Sequence, residues 1–436
     1  MGRKVYVSFL GTNDYEPCNY SLSGMPKVDN VRFVQEAGIC RYCMDWCSDD
    51  AINIFTTEES YQKNWLNDGH SREGKTLKRE GLRERISSLS LKAQVQEKRI
   101  PSGKNEQEIW EIFELVYEQL LPGDEVFFDI THGFRSLPLL ALVIVNFAKV
   151  TKNIQVKAIG YGAMEALGSI REIQTMPPEQ RNIPVFNLLA FDRLLDWSTA
   201  IDRFVVAGDP MLVKQLTQSD IKPLLANSNT RTKTVQALKY MAEALVTFSE
   251  TIATCRGKNI VQDAANLKKN IILTQNQELI KPLRPLLAKF ADSVRDFSGD
   301  EVRDGVVAAR WCLEHNLIQQ GFTLLEETMI CHVLNEALPG HSREEDSTRN
   351  LVGMALYLRK NPQKKWKEEA KKSEADIKSL IAWLSIHSDI AAALSELNQY
   401  RNDINHAGYN KDPMNSKKFK SKLKEILLAI ENTLRT

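Results

Sequence analysis

Val126-Phe127-Phe128-Asp129-Ile130-Thr131-His132-Gly133-Phe134-Arg135-Ser136-Leu137-Pro138 is the stretch that decides the fold. It opens as a short apolar run, breaks into polar residues and a glycine, and continues as a long apolar helical segment over residues 139–148. That order, strand, tight turn, helix, is how an open α/β sheet presents a ligand site at the carboxyl end of a strand. Ser136 suits an N-cap, and Pro138 suits the first helical turn, where a missing N–H does no harm. The turn then aims backbone N–H groups, Thr131, His132 and Arg135 at one point, an arrangement suited to phosphate. The same residues also fit a polar turn that merely caps a buried strand, and spacing alone leaves both readings open.

Working outward from this element, residues 4–10 (KVYVSFL) form a second strand that ends in a polar turn, Gly11-Thr12-Asn13-Asp14. Residues 31–33, 52–55, 154–161 and 183–186 read as further strands, with a short helix near 60–66 and a basic helix over 77–87. Residues 106–121 place Ile109, Ile112, Phe113, Val116, Tyr117 and Leu120 on one helical face, and Pro122-Gly123-Asp124 stops that helix. Strands alternating with helices over roughly the first 187 residues predict one doubly wound α/β domain.

Beyond residue 187 the texture changes to helical periods alone, so the second part is read as all-α. It divides into a helical connector over 188–300 and a terminal helical domain over 301–436. Gly208-Asp209-Pro210, Lys281-Pro282 and the polar stretch 339–347 mark its breaks. No internal repeat is visible.

A chain of 436 residues with 43% hydrophobic and 26% charged residues predicts a multidomain globular protein. A net charge of +1 excludes a uniformly basic protein, so any nucleic-acid contact must come from local patches. The first residues run straight into a strand, and no apolar run is long enough to span a bilayer. With seven cysteines, an odd number, this leads us to expect reduced thiols, a cytoplasmic location and no membrane partner. Cys40, Cys43 and Cys47 lack a fourth ligand nearby and are read as core or loop thiols, so no metal site is expected. The basic runs 360–372, carrying Trp366, and 417–424 are either solvated helix faces or the wall of a groove for single-stranded RNA, with lysines on the backbone and Trp366 as a stacking surface.

Chemistry is next most concentrated in Tyr400-Arg401-Asn402-Asp403-Ile404-Asn405-His406-Ala407-Gly408. A helix ends here, with Gly408 as its stop, and Arg401 and His406 share its last turns. Arg401 suits a phosphate that gains charge during attack, His406 suits proton transfer near neutral pH, and Asn402 can orient either. Together they suit metal-free RNA cleavage by the ribose 2′-hydroxyl. A polar helix end without chemistry is the competing reading. Arg310 and His315 repeat the spacing, but Trp311, Cys312 and Leu313 make that stretch a packed helix.

The Gly11-Thr12-Asn13-Asp14-Tyr15 turn, the Asp129–Pro138 element and the C-terminal Arg401-Asn402-x3-His406 string, taken in order, resemble the CARF–HEPN ribonucleases of type III CRISPR systems. The resemblance covers the whole chain. It implies a Rossmann-like CARF sensor that dimerises and binds a cyclic oligoadenylate across the two-fold axis. Gly11, Thr12, Asn13, Thr131, His132, Gly133, Arg135 and Ser136 would line that pocket. It also implies that two HEPN domains bring Arg401 and His406, supported by Asn402, into one composite ribonuclease site. The expected activator is cyclic tetra-adenylate in preference to hexa-adenylate. The expected partners are a second copy of the chain, or a higher homo-oligomer, and single-stranded RNA. The helices near 188–206 would carry the signal. Two other readings remain: a ligand sensor whose helical part binds a protein partner without catalysis, and a sensor that cuts its own ring through Thr131 or His132.

Overall fold

In the first strand, Val5, Val7 and Phe9 point to one buried layer and Tyr6 to another. A strand covered on both faces belongs in the middle of a sheet with helices on each side. The computed structural model, which describes residues 2–132, 137–218, 221, 225, 231–362, 366, 368–409 and 411–435, places it there. Apart from a two-stranded hairpin at Ser71–Arg72 and Lys75–Thr76, the strands in chain order are β1 (Lys4–Phe9), β2 (Cys18–Leu22), β3 (Val28–Val31), β4 (Ala51–Thr56), β5 (Gln94–Arg99), β6 (Glu125–Asp129), β7 (Gln155–Gly162) and β8 (Asn182–Asn187). Side by side they run β3-β2-β8-β7-β6-β1-β4-β5. From β7 to β5 every pair is parallel. β8 lies antiparallel to β7 and parallel to β2, and β3 closes that edge antiparallel to β2.

Among the helices of eight or more residues, α2 (Glu106–Glu118) and α3 (Leu137–Lys152), which follow α1 (Val34–Tyr42), cover one face of the sheet. Ile112 and Val116 of α2 and Ile144, Val145 and Ala148 of α3 meet Val5, Val7, Val126 and Phe128 there. Burying each of these larger side chains is worth about 1.5–3 kcal/mol. The other face carries Ile39 of α1, Trp46, Leu82 and Ile86 against Tyr6, Ile52 and Ile54. From β1 the chain lays β4 and then β5 on one side, and later places β6 and β7 on the other. The strand order therefore reverses between β1 and β6, the place where such sheets open a crevice.

A first compact unit comprises Met1–Asp192 and a second Arg193–Thr436. From Leu189 on, the chain is helical: α4 (Leu189–Ala207), α5 (Met211–Gln218), α6 (Arg231–Ala253), α7 (Ile260–Gln275), α8 (Leu283–Ser293), α9 (Glu301–Glu314), α10 (Ile318–Ala337), α11 (Asp346–Lys360), α12 (Glu374–Ile386), α13 (Ser388–Asn405) and α14 (Lys417–Arg435). Two hydrophobic clusters share α9. Val307, Ala308, Trp311 and Cys312 face α4, α6, α7 and α8, whereas Val306, Ala309 and Leu313 face α10 to α14. The expected division at residue 300 thus falls at the start of a helix that serves both cores.

The sheet differs from the sequence reading at three strands; the one expected over 31–33 lies at Val28–Val31, because Phe33 already serves as the N-cap of α1. β2 (CNYSL) holds no β-branched residue, the usual strand marker, yet buries Cys18, Tyr20 and Leu22. β5 (QVQEKR) looks like a loop because it is the edge strand, where charged side chains discourage further pairing. The expected helix over 77–87 shortens to Leu82–Ser87. Cys43 is a core residue beside Trp46, and Cys47 donates to Asp50 at 3.3 Å. Trp366 is not a free stacking surface: it packs against the C-terminal core. Arg310 is held by Glu431 at 2.7 Å, and the His315 ring stacks on Trp311.

Candidate functional site

At the reversal point, adjacent strands bring Ser8 and Asp129 into register. Ser8 Oγ donates to one carboxylate oxygen of Asp129 at 2.6 Å. The other accepts from the Thr131 backbone N–H at 3.1 Å and from Thr131 Oγ1 at 2.6 Å. Thr131 Oγ1 in turn accepts the Gly162 N–H from β7 at 2.8 Å. Burial pushes the Asp129 carboxyl up, and its donors from Ser8 and Thr131 oppose that shift. The network fixes the turn after β6. It also commits the Thr131 hydroxyl to the fold.

Asn64, fully buried, shapes the turn after β1. Its Nδ2 donates to the carbonyls of Gly11 and Asn13, both at 2.9 Å. Its Oδ1 lies 3.4 Å from Arg32 Nη2 and 3.0 Å from His70 Nε2. Arg32 also donates to the Tyr15 carbonyl at 3.0 Å. With the carbonyls drawn toward Asn64, Thr12 and Asn13 keep side chains that bond to nothing among the described residues. No pattern around Asn64 marks it in the sequence, because its partners are backbone atoms far along the chain.

Between these turns lies a cavity of about 340 Å³ lined by Gly11, Thr12, Asn13, Tyr15, Thr131 and His132. Phe9, Phe55 and Leu137 add apolar wall, and Thr57 and Ile100 reach it from the ends of β4 and β5. Tyr15 is buried, its ring 4.6 Å from that of His132 and its hydroxyl 3.4 Å from His132 Nδ1. Burial holds the His132 imidazole neutral, its pKa pushed down to about 4. The cavity therefore offers hydrogen-bonding groups and an aromatic wall with little fixed charge. The expected lining residues Gly133, Arg135 and Ser136 lie outside the described residues.

The neutral His132 has a measurable consequence. Its folded pKa is depressed below the ordinary imidazole value, so the unfolded chain takes up the proton first. Stability present at neutral pH is lost as pH falls from about 6.5 toward about 4. His70 and His332, also held down mainly by burial, add in the same direction, whereas Asp129, raised, acts oppositely. Thermal unfolding followed by circular dichroism should show a lower midpoint at about pH 5 than at about pH 7. His132→Asn should flatten that dependence; an unchanged pH profile in the variant would count against a neutral buried imidazole.

The second cluster of expected residues is only partly assembled. Arg401, half-buried on α13, directs Nη1 at Glu326, 3.1 Å away, and at Glu327, 3.3 Å away. Glu326 is itself buried and accepts from Asn398 at 3.1 Å. Arg401 Nε is buried without a partner, and Nη2 has none among the described residues. Asn402 is exposed and donates to Asn398 at 3.1 Å. His406 caps α13, exposed, with no side-chain partner among the described residues. Arg401 lies at the edge of two cavities of about 810 and 570 Å³; His406 lines neither.

Residues 5–165 match the family model of the CARF domain of the CRISPR system endoribonuclease Csx1. Residues 193–299, expected as a connector, match that of the second domain of CRISPR-associated protein MJ1674. The chain is 24% identical over 262 residues to the CRISPR-associated protein MJ1674 of Methanocaldococcus jannaschii, a stretch covering 58% of this chain. The match spans 36% of that relative's own length. Together these similarities support a CARF-containing protein of the CRISPR-associated kind.

Proposed function

We propose that the sheet domain senses a cyclic oligoadenylate, cyclic tetra-adenylate before hexa-adenylate, and that the helical unit cleaves single-stranded RNA when two copies pair. The observation that carries this reading is the cavity at the β1–β6 reversal, which Thr12 and Asn13 line together with neutral His132. Such a wall suits a nucleotide, with a base against Tyr15 and His132 and phosphate oxygens on the turns. One cavity of about 340 Å³ takes part of the ring only, so a symmetric ligand calls for a second copy around a two-fold axis. An apolar stripe on α3, Leu139, Val143, Phe147 and Val150, with Val150 86% exposed, supports such pairing. Helix α4 is the route we assign to the coupling, by which ligand favours one arrangement of the pair.

In the cleavage step, His406 takes the proton from a ribose 2′-hydroxyl as its oxygen attacks the adjacent phosphorus. The bond to the 5′-oxygen breaks, and a proton returns to that oxygen. The products are a 2′,3′-cyclic phosphate and a 5′-hydroxyl. Arg401, oriented by Glu326, meets the phosphate through its remaining Nη2 edge. The exposed Asn402 and His406 fit half of a site that a second copy completes. A different reading, a sensor with a protein partner, draws support from the carboxylates that already occupy Arg401. Incubating the protein with labelled single-stranded RNA in EDTA, with either ring or none, separates the two. Cleavage that needs one ring is expected. Ring binding without any cleavage would transfer the case to the sensor.

A further inference from the structure

The turns that follow Arg401 join a second surface, which the cleavage step itself does not use. Tyr400 on α13 and Phe419 on α14 pack edge to face at 5.5 Å, and Phe322 of α10 stacks on Tyr400 at 5.4 Å. This aromatic trio pins the first turn of α14 to the turn of α13 that bears Arg401. Around Phe419, Lys417, Lys418 and Lys420 are exposed, and none of them has an ion pair among the described residues. Lys422 differs, being spoken for by Glu396 at 3.0 Å and Glu425 at 2.8 Å.

Of the three, Lys420 reaches Asn316 Oδ1 at 3.5 Å, and the side chains of Lys417 and Lys418 have no partner among the described residues. The first turn of α14 carries no acidic residue, and cations there oppose the helix dipole. The chain's net charge is only +1, so the concentration is local. At the end of α13, on the segment that leads into α14, Ala407 and Gly408 take positive φ values of 51° and 75°, and the Tyr409 N–H donates to the His406 carbonyl at 2.9 Å. That turn presents the Tyr409 ring 92% exposed, three residues after His406.

We infer that Lys417, Lys418, Lys420 and Tyr409 form the track along which single-stranded RNA approaches His406, lysines on successive phosphates and Tyr409 under a base. The combination favours this occupant: lysines complement a polyanion, and an aromatic face accepts any base without reading it. A protein partner would gain little from three exposed lysines that form no ion pair among the described residues. This inference rests on the ribonuclease reading for the meaning of His406, but not for the existence of the RNA-binding face.

The test measures binding rather than cleavage. The full chain carrying His406→Ala, with cyclic tetra-adenylate present, is titrated against a fluorescein-labelled single-stranded oligouridylate over a range of salt. Replacing Lys417, Lys418 and Lys420 together by alanine should lower the salt slope by about 2, at roughly 0.7 for each phosphate no longer neutralised. Tyr409→Ala should weaken binding on the order of tenfold, and Tyr409→Trp should restore it. Unchanged affinity and slope in the triple variant overturn the inference. So does a Tyr409→Ala protein that binds RNA normally but loses self-association, which would make the face an interface between copies. Both outcomes are independent of whether His406→Ala abolishes cleavage, the result on which the ribonuclease reading depends.

Discussion

Replacing His406 by alanine is expected to lower ring-activated RNA cleavage by at least ~10²–10⁴-fold, the usual contribution of a positioned proton-transfer group. Thermal stability should stay within about 0.5 kcal/mol of the parent, as for a surface change that breaks no bond. The separation between these two readouts comes from the structure. His406 is exposed at the end of α13, and its ring has no partner among the described residues. Arg401 cannot provide so clean a test. Its removal strands the buried carboxylate of Glu326, and breaking such a pair from one side costs about 3–5 kcal/mol. An inactive Arg401→Ala protein would therefore report impaired folding as readily as impaired chemistry. Cleavage in EDTA by His406→Ala at the parental rate would sink the proposed ribonuclease site, whatever Arg401 variants do. Measuring ring affinity on the same protein, which should be unchanged, shows that the sensing pocket survived.

What could be read beforehand follows from where the determinants lie along the chain. The stretch from Val126 to Pro138 carries its own strand, turn and helix signals, and the sheet places its strand next to β1 at the reversal point. Helical periods past residue 187 are likewise local, since each helix buries one face of its own residues. β2 and β5 escaped because their strand character is tertiary: one is a short strand of Cys, Asn, Tyr, Ser and Leu packed by neighbours, the other a charged edge. At the pocket, Gly11, Thr12 and Asn13 were legible as a polar turn after a strand, the family resemblance named them as lining, and the structure sets them around one cavity with Thr131 and His132. Asn64 and Tyr15 could not be given their parts. Asn64 acts on backbone carbonyls more than fifty positions away, and Tyr15 matters through the ring of a residue 117 positions further along the chain. Nor does sequence show that Arg401 is already engaged, because Glu326 and Glu327 sit on another helix.

Gly11→Ala should weaken cyclic oligoadenylate binding by roughly 10- to 100-fold, the equivalent of about 1–3 kcal/mol of overpacking moved into the pocket. A Cβ at residue 11 would stand 2.0 Å from the Tyr15 hydroxyl oxygen and 3.3 Å from both Tyr15 Cζ and His132 Cγ. Tyr15 cannot swing aside freely, because its buried ring is packed between Phe33 and His132. Either the ring shifts and carries His132 with it, or the turn after β1 lifts from Asn64; both spoil the wall a nucleotide would meet. Phenylalanine at residue 15 removes the oxygen at 2.0 Å but keeps the 3.3 Å approach. Gly11→Ala with Tyr15→Phe should therefore bind better than Gly11→Ala alone yet worse than the parent, a non-additivity that marks direct contact. Calorimetric titration of the four proteins with cyclic tetra-adenylate decides the point. If Gly11→Ala binds as the parent does, the ligand does not use this cavity. If it binds weakly and Tyr15→Phe gives no relief, the glycine is needed for close approach of the ligand to the backbone, not for the room it leaves Tyr15.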